Sequence, residues 1–184
     1  RGDTPAAQGY RMPAEWEPHD GCLMVWPTRR ELWGPYFERA LEEYAATANT
    51  IAAFEPVYLV VDPGRGAEVR RRCSTRVEVI EVPVDDSWVR DSGPIIVLGD
   101  DGRRVGVDFA FNSWGERFAP WDKDAAMASE VLRILGIERM ASSMIFEGGS
   151  VTVDGEGTLI TTEQCLLNKN RNPDLARDEI EDEL

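Results

Sequence analysis

The chain has 184 residues, enough for one hydrophobic core or for one piece of a larger protein. Apolar residues make up 42% and charged residues 29%, an ordinary balance for a globular protein. The formal net charge of −14 argues against nucleic acid or an anionic membrane surface as partner and favours small cations, although such a surface also serves solubility alone.

No apolar run approaches the roughly 18 residues of a membrane span. The opening RGDTPAAQGYRMP lacks the apolar centre of a signal peptide. Cys22, Cys73 and Cys165 are an odd, scattered set rather than a disulfide framework, so a reducing, cytoplasmic setting is expected. His19 is the sole histidine, so no zinc-ligand spacing exists.

In chain order, residues 1–20 are rich in Pro and Gly and should wrap the surface. CLMVWP (22–27) reads as a short buried strand ended by proline. Leu32, Tyr36, Phe37, Ala40, Leu41, Tyr44 and Ala48 recur at helical spacing and predict one helix over 31–54. PVYLVVDPG (56–64) predicts a buried strand with a turn, and VEVIEVPV (77–84) an alternating one. Strands alternating with helices predict an α/β protein, taken as a single domain over 1–184.

Beyond residue 87 the chain repeats itself. WVRDSGPIIVLGDDGRRVGVDFAFN (88–112) aligns without gaps on MIFEGGSVTVDGEGTLITTEQCLLN (144–168). Asp91 falls on Glu147, Gly93 on Gly149, and Asn112 on Asn168. Each copy reads acid, glycine, strand, Gly/Asp turn, strand, asparagine, with a helix predicted after it at 122–135 and 173–184. Pro173 suits a first helical turn. The equivalent acids should stand at the entrances of two β-hairpins, and pseudo-symmetry would bring Asp91 and Glu147 together. A chance likeness of two hairpins is the competing explanation. ARDEIEDEL (176–184) reads as helix to its last residue, and the repeat calls for another strand after it, as in a fragment of a longer polypeptide.

Three segments could carry chemistry. In DDSWVRDSGP (85–94), Trp88 and Asp91 could hold a cation between a carboxylate and an aromatic face, or Arg90 and Asp91 could simply pair within a solvated turn. Arg90 and Asp91 would point to opposite faces if the segment were extended. In FEGGS (146–150), Glu147 precedes two glycines that permit close approach of backbone or ligand. Two acids in one pocket can divide the work, one holding a cation and the other carrying a proton. In FNSWGERFAPW (111–121), Trp114 and Trp121 line an apolar entrance or cap the core. His19 with Cys22 admits a Cys/His dyad, but Cys22 opens an apolar strand, a setting typical of an inert thiol. Cys165 reads as a strand residue of the core and Cys73 as exposed at a helix end.

MPAEWEPHDGCLMVWP (12–27), DDSWVRDSGP (85–94), DFAFNSWG (108–115) and FEGGS with NKNRNP (168–173) together resemble the agmatine deiminases of the porphyromonas-type peptidylarginine deiminase family. The resemblance runs from Met12 to Leu184. It implies a pentein fold, an α/β propeller of five modules with pseudo-fivefold symmetry, of which this chain would be about the first half. It implies hydrolysis of a guanidino group through a covalent cysteine intermediate, with a histidine as general acid/base and no cofactor. Carried over by position, Asp91 and Glu147 would bind the guanidinium and serve catalysis. Trp88 and Trp114 would flank the substrate, a small cationic guanidino compound. The family's histidine-x-aspartate motif and nucleophilic cysteine have no counterpart among these residues, so the chain alone is expected to be inactive. A homo-oligomer, or completion by the remainder of the polypeptide, would cover its open side. Free or peptidyl arginine as substrate, and a non-catalytic module binding guanidinium or polyamines, are the alternatives.

Overall fold

The structure, a computed structural model, describes residues 4–184. The chain is mixed α/β, and its contacts divide it into two compact units.

Residues 18–89 and 120–127 form the parallel unit. Strands β2 (Cys22–Val25), β3 (Val57–Val61) and β4 (Val77–Glu81) make a parallel sheet in sequence order, Cys22 opposite Val57 and Val57 opposite Val77. A parallel sheet buries both faces, so β3 reads as the unbroken run VYLVV. Helices α1 (Arg30–Trp33), α2 (Phe37–Ile51) and α3 (Gly66–Arg72) connect these strands. Trp26, Phe37, Leu41, Val57, Leu59, Val61 and Val69 fill the core between them.

The helix predicted over 31–54 is therefore two. Gly34 and Pro35 enter a 3-10 turn over Gly34–Tyr36, because proline supplies no amide to the ladder of α1. Phe37, Leu41, Ala45 and Ala48 carry the buried stripe of α2, whereas Leu32 and Tyr36, assigned to the same face by spacing, stay exposed.

Residues up to Glu17, with 90–119 and 128–184, form the hairpin unit. Its main sheet has the order β1-β5-β6-β7, from β1 (Tyr10–Arg11), β5 (Ile95–Gly99), β6 (Arg104–Ala110) and β7 (Glu138–Ile145). The β5–β6 pair is an antiparallel hairpin, and β7 joins β6 in parallel. A parallel neighbour requires a crossover, which α6 (Asp122–Leu135) supplies. Gly106 on β6 lies directly beneath Leu132 of α6, whose side chain occupies the space a Cβ would need. The second hairpin is β8 (Val151–Val153) against β9 (Leu159–Thr161). Two short helices, α7 (Glu163–Leu166) and α8 (Arg177–Glu183), follow it.

Both hairpins of the repeat exist, but their registers differ. Ile95 pairs with Val107, while its equivalent Val151 pairs with Thr161, two positions earlier than a gapless offset requires. Cys165 consequently lies on α7, half-buried, and not in a core strand. The last helix begins at Arg177, so Pro173 precedes it rather than opening it. Asn172 explains the delay: its side chain accepts the Ile145 amide at 2.9 Å and donates to the carbonyls of Ile145 and Leu166. These bonds hold 168–172 as a turn until Glu179 reaches back to the Ala176 amide and opens α8.

Candidate functional site

The segment that raised the question of a cation pocket divides its acids between two jobs. Asp85 and Asp86 are structural in the parallel unit. Their backbone amides donate to Asp124 Oδ1 at 2.7 and 3.2 Å, and Asp85 Oδ2 accepts the Lys123 amide at the start of α6. Burial pushes the Asp124 carboxyl up to about 6, against the two amides that favour its ionised form.

Asp91 lies on α4 (Val89–Ser92), a single helical turn rather than an extended segment. Arg90 does not pair with it; its guanidinium meets Glu15 at 2.6 Å. Asp91 instead spends one bond per oxygen on the hairpin unit. Oδ1 accepts the backbone amide of Gly149 at 2.9 Å, and Oδ2 accepts Trp114 Nε1–H at 3.1 Å. Each carboxylate oxygen has two acceptor sites, so the carboxylate keeps capacity for a planar donor such as a guanidinium.

The two glycines after Glu147 make this meeting possible. A Cβ at Gly148 would strike the Arg90 carbonyl, and one at Gly149 would strike Asp91 Oδ1. Both acids stand four positions before their hairpin strands, at 95 and 151. The Asp91 turn thus touches the loop that carries Glu147, through the Gly149 backbone. Glu147 itself is buried, and its Oε1 accepts Arg171 Nε–H at 2.5 Å.

Trp114 is aimed by an unusual backbone. Ser113, Trp114, Gly115 and Glu116 all have positive φ, of 52°, 58°, 86° and 61°, so α5 (Ser113–Glu116) is a left-handed turn. Each non-glycine residue in that conformation costs about 1–2 kcal/mol. Local bonds offset the strain: Asn112 Oδ1 accepts the Gly115 amide, its carbonyl accepts the Glu116 amide, and Ser113 Oγ donates to the Phe118 carbonyl. Phe111 and Phe118 stand nearly perpendicular to the Trp114 ring, at 5.4 and 6.0 Å between centroids. Asn112 Nδ2 also donates to the Asn170 carbonyl at 2.9 Å, tying the two repeat copies together.

The cluster therefore joins Asp91, Trp114, the Glu147–Gly149 loop and Arg171. Trp88 and Trp121 belong to the parallel unit, where Trp88 is 48% exposed. Arg171 and Asn170 were not singled out from the sequence, and Asn112 only as a repeated position; the asparagine repeated at 112 and 168 was the available signal. Among the described residues, no group of three His, Cys, Asp or Glu side chains is arranged to hold a metal.

The profile of the Porphyromonas-type peptidyl-arginine deiminase family matches residues 11–184. The chain belongs to this family. Within the Porphyromonas-type deiminases it is 47% identical over 187 residues to the agmatine deiminase of Pseudomonas aeruginosa, covering 97% of this chain and 50% of that one. Its structure is similar to that of the agmatine deiminase of Enterococcus faecalis, with a TM-score of 0.95 and 38% identity, over 100% of this chain and 52% of the other. It is also similar to a cysteine-to-serine agmatine deiminase of C. jejuni with substrate bound, at a TM-score of 0.83 and 30% identity, over 93% and 51% of the two chains. The chain spans about half the length of the curated relatives it matches.

In this member of the deiminase family, the sole histidine is engaged within the parallel unit, where His19 Nδ1 lies 3.2 Å from Glu55 Oε2. Cys22 begins β2, half-buried. Cys73 follows α3 and is half-buried rather than exposed; burial pushes its thiol up, which disfavours the reactive thiolate. No helix of the described residues is long and apolar enough to cross a membrane.

Proposed function

We propose that this chain carries the guanidinium-holding part of an agmatine deiminase, an enzyme hydrolysing agmatine to N-carbamoylputrescine and ammonia. One observation carries the reading: Asp91 is fixed by the Trp114 indole and by the Gly149 amide of the loop that carries Glu147, in a member of this family. In the reaction, a cysteine thiolate attacks the guanidinium carbon and ammonia leaves, taking up a proton from a histidine acid. Water then attacks the carbon, the C–S bond breaks, and the thiol and a ureido product are released. We place both the nucleophile and that histidine outside these 184 residues, on other modules of a fivefold propeller whose N-terminal portion is this chain. Asp91 and Glu147 anchor the guanidinium, and Trp114 flanks it.

The cations of the cluster favour a substrate without a carboxylate. Arg90 is paired with Glu15 and Arg171 with Glu147, so neither is available to an amino-acid head group. This supports agmatine over free arginine, in a cytoplasmic route to putrescine. The test is incubation of the full-length protein with agmatine, following ammonia and N-carbamoylputrescine. Turnover abolished by Asp91→Ala supports the enzyme; saturable agmatine binding without turnover would instead make the chain a binding module.

A further inference from the structure

Arg171 stands apart from the other charged groups of the cluster. Its side chain is 10% exposed and that of Glu147 5%, so this ion pair is nearly removed from water. A carboxylate so buried is costly unless paired and hydrogen-bonded, and the 2.5 Å Nε–Oε1 contact supplies both. Arg171 is itself seated from two directions. Its Nη1 donates to Asn170 Oδ1 at 2.7 Å, and Gly115 presses against Nη1 so closely that a Cβ there would lie at 2.5 Å. Gly115 adjoins Trp114, which donates to Asp91, while the Asn170 carbonyl is held by Asn112. A continuous run of contacts thus leads from one acid to the other, through Trp114, Gly115, Arg171 and Glu147.

We propose that Arg171 is a positioning residue: it fixes the Glu147 carboxylate for the incoming guanidinium and does not itself touch substrate. Arg171 engages Oε1 only, so Oε2 retains its acceptor capacity. The guanidinium fork suits this task because its planar donors fix direction as well as charge, which an ammonium does not. The seat at Gly115 ties the position of Glu147 to the turn that aims Trp114 at Asp91, so both acids share one frame. This inference rests on the deiminase reading given above.

A double-mutant cycle in the full-length protein tests it. Arg171→Met should lower kcat/KM for agmatine about 100-fold, the order expected when an anchoring group is misplaced by about 1 Å. Glu147→Gln should lower it as well. The combined variant should be no worse than Glu147→Gln alone, because Arg171 acts only through that carboxylate. Arg171→Lys should recover part of the loss. Fully additive losses, or wild-type kcat/KM in Arg171→Met, would overturn the proposal. A crystal structure of Arg171→Lys, a variant that keeps the buried charge and so the fold, gives a readout free of turnover. A shifted Glu147 carboxylate supports the proposal and an unmoved one overturns it. Failure of the function is distinct: the unsubstituted protein would then release no ammonia from agmatine.

Discussion

Asp91 and Asp124 are both aspartates that accept backbone amides, yet their settings differ. Asp91 is half-buried and takes one donor on each oxygen. Asp124 is buried, takes both amides on one oxygen, and lies near the carboxylates of Asp85 and Asp86, so its carboxyl is pushed up to about 6. Its folded value lies above the 3.8 of an ordinary aspartate, so the folded state holds the proton more tightly. The contribution to stability is therefore complete below about 3.8 and is lost as pH rises through about 6. A displacement of that size is linked to roughly 3 kcal/mol at most. Asp124→Asn should remove this dependence. Urea unfolding of both proteins at pH 4, 5, 6 and 7 should show wild type losing stability relative to the variant across that window, and parallel curves would refute it. The charge pattern alone could not mark Asp124, because its partners are amides of residues 38 and 39 positions away.

Among elements, the contact of α6 with β6 is the tightest constraint on the hairpin unit. Gly106 faces the whole terminal fork of Leu132, so Gly106→Ala must displace a side chain that is fully buried. A loss of about 1–3 kcal/mol is expected from such overpacking, read as a lowered thermal midpoint. An unchanged midpoint would mean that α6 can shift freely. Much of this level was legible beforehand. The β2, β3 and β4 strands and α6 follow from runs of apolar residues and their spacing, and the repeat located both hairpins. The break in the helix over 31–54 was written in Gly34-Pro35 but hidden by apolar spacing that continued across it. The left-handed turn was not legible, because Ser113, Trp114 and Glu116 have no intrinsic preference for positive φ. Bonds made by Asn112 and Ser113, the Trp114–Asp91 bond and the packing of Phe111 and Phe118 hold them there. Asp91 and Glu147 could be paired through the repeat, whereas the partnership of Glu147 with Arg171 spans 24 residues with no counterpart in the first copy.

For the molecule as a whole, charge is the property that acts at a distance. On the proposed activity, the net −14 of these 184 residues would raise the local concentration of the cationic substrate, and salt screens that effect with a Debye length of about 8 Å at physiological ionic strength. On the proposed activity, kcat/KM for agmatine in the full-length protein should fall as salt is raised from about 10 to 500 mM, with kcat nearly constant. A flat kcat/KM would show that the acidic surface is there for solubility alone.

The ties from Asp91 to Gly149 and from Asn112 to Asn170 each join positions 58 residues apart. Local hairpins close in microseconds, whereas such long loops must bear their entropy before any contact repays it. Loop-closure entropy therefore makes the Asp91–Gly149 tie one expected to form after both hairpins have closed. The first hairpin by itself would leave Asp91 without one of its two donors. On the proposed function, agmatine binding would thus double as a report that the second repeat has folded and docked.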